Sequence, residues 1–114
     1  MEEFIRVPYG STVHGEEEID AVINVLKTTT QMSKNVREFE SKVAAKYSKD
    51  YGIMVNSGSS ALYLSIESLN LPMGSEVITP ALTFGTTVAS IVNNKLVPVF
   101  VDVKPDTYCI DETQ

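Results

Sequence analysis

A chain of 114 residues, 43% hydrophobic and 21% charged, has room for one modest core, which excludes a multi-domain machine, a disordered chain and a collagen-like repeat. Fifteen Asp and Glu against nine Lys and Arg leave a net charge of -6, and no basic cluster offsets it, so nucleic-acid binding by phosphate neutralisation is excluded. The single cysteine, Cys109, allows neither an internal disulfide nor a cysteine-built zinc site. No run reaches the roughly 18 apolar residues of a membrane span, and the stretch after Met1 lacks a signal-peptide core. These features predict a soluble, cytoplasmic protein.

Residues 1–14, with Pro8, Tyr9, Gly10, Ser11 and Thr12, show no periodicity and predict an extended arm. Ile19, Val22, Ile23 and Leu26 then fall at helical spacing. Glu16, Glu17 and Glu18 crowd the first turn, where they favour the positive end of the helix dipole, so a helix is expected over about 15–27. Lys27 to Ser33 reads as a linker. Asn35 followed by Glu38 resembles a capping box, opening a second helix whose apolar face is Val36, Phe39, Val43 and Tyr47. Ile53-Met54-Val55 predicts a short buried strand ending at the small-residue turn Asn56-Ser57-Gly58-Ser59-Ser60. Ala61, Leu62, Ser65, Ile66 and Leu69 continue as a helix until Leu71-Pro72-Met73-Gly74 stops it. A strand over 76–79, a helix over about 85–94 and a strand over 96–101 follow. Asp111, three residues before Gln114, has the spacing of a helix start.

Alternating strands and helices, with apolar runs lacking strict alternation, predict an α/β fold: three α/β/α layers around a mostly parallel sheet. The loops leaving the strands then share one functional edge. With about three strands and an unused helix start, residues 15–114 are expected to be an incomplete part of a larger domain.

The turn from Val55 to Leu62 carries the most chemistry. A strand delivering small residues to a helix start offers backbone N–H groups and hydroxyls to an anion, so phosphate binding is one reading. Gly58 lets the backbone approach closely, and Ser59 and Ser60 add hydroxyls without bulk. Ser and Gly here also serve as ordinary caps, and spacing alone leaves both readings open. No Lys follows the glycine, so the nucleoside-triphosphate loop is excluded, as is the dinucleotide fingerprint. In the next loop, Phe84 either stacks on a flat heteroaromatic ligand or belongs to the core, with Thr86 or Thr87 capping the following helix.

Val55 to Leu62, together with Gly74-Ser75-Glu76-Val77-Ile78-Thr79-Pro80, Leu82-Thr83-Phe84 and Pro98-Val99-Phe100-Val101-Asp102-Val103, resembles the DegT/DnrJ/StrS family of sugar aminotransferases. The likeness runs over nearly the whole chain, including the helices at Gly15 to Glu18 and Val36 to Glu40. It implies the amino-terminal part of the large domain of a fold-type I enzyme that uses pyridoxal 5'-phosphate. Such an enzyme moves an amino group from an amino acid, usually glutamate, to a nucleotide-linked keto sugar.

On this chain the resemblance assigns the cofactor phosphate to Ser59 and Ser60, the shape of the turn to Gly58 and ring stacking to Phe84. It also implies a homodimer with the site between subunits, and a place in surface-polysaccharide synthesis such as lipopolysaccharide O-antigen. The family's Schiff-base lysine and the acidic partner of the pyridine nitrogen lie beyond the last residue here. None of Lys27, Lys34, Lys42, Lys46, Lys49, Lys95 or Lys104 matches that lysine, so no catalytic residue is assigned and the chain alone is expected to be inactive. A branch with histidine in place of the lysine removes a sugar hydroxyl, which makes a dehydratase one alternative. A non-catalytic phosphate-binding domain is the other.

The remaining candidates carry less. His14 stands without a second His or a nearby Cys and reads as a surface residue rather than a metal ligand. Asp102, Asp106 and Asp111 read as turn caps, and Cys109 as inert packing in an apolar strand. No metal site is expected.

Overall fold

The computed structural model describes residues 5–29 and 33–114. They fall into two compact units, divided after Gly52. Six regular elements are present among them: α1 (Glu16–Thr28), α2 (Lys34–Lys46), α3 (Gly58–Glu67), β1 (Glu76–Pro80), α4 (Gly85–Asn93) and β2 (Val97–Val101). No helix among the described residues is long and apolar enough to cross a membrane.

In the first unit, residues 5–14 of the expected arm carry no helix or strand; residues 1–4 lie outside the described residues. Gly15 is the N-cap of α1. Having no side chain, it caps nothing itself, but its N–H donates to Glu18 Oε2 at 2.7 Å, the returning half of a capping box. That bond holds the Glu18 carboxyl below its ordinary pKa. Helix α1 runs one residue past the expected end, to Thr28, and residues 30–32 lie outside the described residues.

Helix α2 starts two residues earlier than expected. Ser33 is its N-cap, so Asn35 sits inside the first turn and the capping box is not formed. Glu38 pairs instead with Lys42 at 2.6 Å, one turn ahead, the favourable i,i+4 orientation. Ala44 is buried. Gly52 passes so close to α2 that a Cβ there would lie 2.7 Å from the Glu40 carbonyl oxygen, a contact only glycine avoids.

The second unit is built on the βαβ unit β1–α4–β2. The two strands pair in parallel from Glu76 opposite Val97 to Pro80 opposite Val101, and the α/β expectation holds. Helix α4 packs on both strands and α3 packs on α4. Ile91 on α4 and Leu96 just before β2 form the apolar centre, with Thr79 and Ser90 buried beside them. Asn94 joins the helices: its Nδ2 donates to Tyr63 O at 3.2 Å and Ser90 O at 2.8 Å. Because α3 is tied through Asn94 to the helix that covers the sheet, the start of α3 holds a fixed place relative to the loop after β1.

Two expected elements are absent. Ile53–Val55 joins no ladder, since the sheet contains only β1 and β2; an apolar run becomes a strand only where a neighbour supplies N–H and C=O groups. Asp111–Gln114 forms a turn rather than a helix start. Asp111 Oδ1 accepts from Thr113 Oγ1 at 2.7 Å and Thr113 N at 3.1 Å, the local bonding by which Asp stabilises turns. Cys109 lies exposed beside the single bridge between Val103 and Ile110 rather than packed in a strand.

Two predictions follow from this packing. Thr79 Oγ1 is buried without a hydrogen-bond partner. Thr79→Val removes that orphan hydroxyl at nearly constant shape, and should raise the unfolding free energy by about 1 kcal/mol in urea denaturation. For Glu18, the lowered pKa means that its contribution to α1 is complete above the ordinary glutamate value and is lost as pH falls through the folded value. The Gly15 amide resonance should therefore titrate with a midpoint below that of an ordinary glutamate, and Glu18→Gln should abolish the titration.

Candidate cofactor-phosphate site

Ser57 is the N-cap of α3, with extended backbone and its hydroxyl oxygen accepting from Ser60 N at 3.2 Å. Ala61 N donates to Ser57 O at 3.1 Å. Between them the N–H groups of Gly58 and Ser59 carry no hydrogen bond. These are the donors that every α-helix leaves over at its start, at the positive end of its dipole.

A cleft of about 550 Å³ opens at this point, lined by Gly58, Ser59, Leu62, Phe84, Thr86 and Thr87 among others. No charged side chain lines it, so an anion there meets no carboxylate although the whole chain carries -6. Phe84 is the N-cap of α4. At 72% exposed it is a presented ring, which removes the core reading. The structure thus brings Gly58, Ser59 and Phe84 to one cleft.

Ser60 does not line this cleft; it lines an adjoining groove of about 400 Å³ that shares Ser59 and Thr86 with the cleft, and its hydroxyl donates to Asn56 Oδ1 at 2.7 Å. Gly58 also differs from expectation, because it is the first residue of α3 without positive φ, and a Cβ there would meet nothing within 4 Å. The turn itself does not require glycine; the missing Cβ leaves open space at the cleft. Neither Thr86 nor Thr87 caps α4, which has no side-chain cap; Thr87 Oγ1 accepts from Thr83 Oγ1 at 3.1 Å.

Asn56 and Ser57 are the residues whose parts sequence reasoning did not assign. The signal was there for Ser57, a serine three residues before Ser60 at a helix start. For Asn56 no spacing rule applies, since its bond to Ser60 depends on how the chain enters the helix.

The described chemistry sits within a stretch that matches a known family along nearly its whole length. Residues 12–114 match the model of the DegT/DnrJ/EryC1/StrS aminotransferase family. The chain belongs to this family.

One relative of this family member is the spore coat polysaccharide biosynthesis protein SpsC of Bacillus subtilis (strain 168), 34% identical over 106 residues, covering 92% of this chain and 27% of that protein. Among solved structures, GDP-4-keto-6-deoxy-D-mannose-3-dehydratase of E. coli with bound hydrated PLP superposes with a TM-score of 0.86 at 31% identity, over 96% of this chain and 30% of that one. The PLP form of Spr1654 from Streptococcus pneumoniae, named a putative sugar aminotransferase, gives 0.82 at 27% identity, over 94% and 28%. The chain therefore spans about a quarter to a third of the length of these relatives.

Proposed function

We propose that this chain is the amino-terminal, cofactor-anchoring part of a cytoplasmic, homodimeric enzyme that uses pyridoxal 5'-phosphate to aminate a nucleotide-linked keto sugar, with glutamate as amino donor. The observation that carries the reading is the cleft in which two free N–H groups, of Gly58 and Ser59, share a lining with the exposed ring of Phe84. Those residues fit a phosphorylated heterocycle. Helix-start N–H groups and the Ser59 hydroxyl suit the phosphate, and an aromatic face suits a pyridine ring. The PLP in the E. coli and Streptococcus structures supports the same cofactor.

When bound, pyridoxal phosphate supplies an electron sink for the carbon that loses or gains the amino group. This chain's own residues would hold the phosphate through Gly58 and Ser59, and fix the ring's plane against Phe84. Thr86 and Thr87 would bound the cleft on the α4 side. No lysine or carboxylate lines this cleft, so the groups that move protons would come from elsewhere in the enzyme. Dehydration of a nucleotide sugar is a second reading, favoured by the likeness to the E. coli dehydratase. The two divide at one residue: reading the DNA past the Gln114 codon should reveal an open frame with a lysine at the cofactor position, and a histidine there would assign the dehydratase.

Binding is tested with pyridoxine 5'-phosphate and pyridoxine, alcohols that cannot react with lysine as the aldehyde does. The phosphate-bearing ligand should bind tighter. Phe84→Ala should weaken both by about 1 kcal/mol, roughly fivefold. Gly58→Ala should weaken only pyridoxine 5'-phosphate while leaving the melting temperature unchanged or higher, because its Cβ enters the cleft and not the packed protein. Equal affinity for the two ligands would remove the phosphate assignment.

A further inference from the structure

Helices α1 and α2 carry opposite charge patterns around apolar stripes. Helix α1 holds Glu16, Glu17, Glu18 and Asp20 in its first half against Lys27 at its end, whereas α2 holds Lys34, Arg37, Lys42 and Lys46 against Glu38 and Glu40. Ile19, Val22, Ile23 and Leu26 form the stripe of α1, and none of them is buried. Phe39 and Val43 on α2, with Tyr47 at its C-cap, stand exposed at helical spacing. A groove of about 360 Å³ lies on the α1 stripe, between His14, Glu18, Ile19, Val22 and Ile23. The two helices belong to one compact unit, yet they do not pack on each other. Each leaves in water the kind of face that the other offers.

We infer that this chain pairs with a second copy of itself, α1 of each copy lying on α2 of the other. An antiparallel alignment opposes the two helix dipoles favourably. It brings Glu16 and Asp20, one turn apart and each three residues before a member of the stripe, to the end of α2. There Lys46 and Lys49 pair with no carboxylate among the described residues. The same alignment brings Val43 and Tyr47 to the groove and Phe39 towards Leu26. A parallel alignment sets Lys27 against Lys46 and Lys49, like charges that repel. Two copies related by a two-fold axis make the contact twice, so the assembly closes at the dimer. The inference gives a surface to the homodimer of the reading above. It makes no use of the cofactor cleft, whose residues belong to the second unit.

The test is sedimentation equilibrium of the 114-residue chain, which should show monomer and dimer in exchange. Reversing the charges on α1, by Glu16→Lys with Asp20→Lys, should raise the dimer dissociation constant about tenfold, and reversing those on α2, by Lys46→Glu with Lys49→Glu, should do the same. An equal mixture of the two variants should recover the parent affinity as a heterodimer, because both of its contacts join opposite charges. Two misfolded variants would not rescue each other. Val22→Asp, in the middle of the stripe, should leave only monomer with the melting temperature unchanged.

A parent that stays monomeric at its highest soluble concentration overturns the inference, and so does open-ended association. A dimer indifferent to the α2 reversal overturns it as well, since its interface lies elsewhere. Dimers that follow the charge pattern but bind pyridoxine 5'-phosphate and pyridoxine equally remove the cofactor reading alone.

Discussion

An α-helix cannot satisfy its own first N–H groups, and at α3 the chain meets this constraint only in part. Ser57 takes the Ser60 N–H and the Ser57 carbonyl takes that of Ala61, while Gly58 and Ser59 are left open. Asn56 Oδ1 accepts from the Ser60 hydroxyl and not from either of those N–H groups. The arrangement leaves the positive end of the dipole directed at a cleft without charged side chains, in a chain whose net charge of -6 would otherwise repel an anion. In the proposed role, local dipoles rather than net charge supply the attraction for an anion.

The rest of the second unit keeps that helix start and Phe84 in register. A two-stranded sheet is marginal by itself, so β1 and β2 depend on α4 lying across them, with Ile91 and Leu96 at the centre. Helix α4 begins at Phe84, and α3 is bound to its far end through Asn94. The ring and the free N–H groups are thus set by one packed assembly. Much apolar surface remains outside it. Ile78 on β1 and Phe100 on β2 are both more than half exposed, as are Val22 and Leu26 along α1 in the first unit.

All six observed elements were legible in the amino-acid pattern, because each depends on local signals: the Ile19 to Leu26 stripe, the acidic first turn of α1, the Pro72-Met73-Gly74 stop and the apolar run into β2. The errors fell where partners outside the local window decide. Ile53-Met54-Val55 had the composition of a strand but no ladder neighbour. Glu38 had both Asn35 behind it and Lys42 ahead, and the charged partner won. At the site, the motif identified the small-residue turn and the aromatic loop. It could not show the Ser60 hydroxyl bonded to Asn56 Oδ1, since that bond depends on how the chain enters the helix.

The two solved relatives differ in their stated chemistry, a dehydratase and an aminotransferase, yet both superpose on this chain, with TM-scores of 0.86 and 0.82. A segment shared so evenly by the two is consistent with the proposed cofactor-phosphate role, a task common to both reactions rather than the step that separates them. Holding a phosphate requires fixed donors and no moving proton, and the cleft offers fixed donors with no titratable lining.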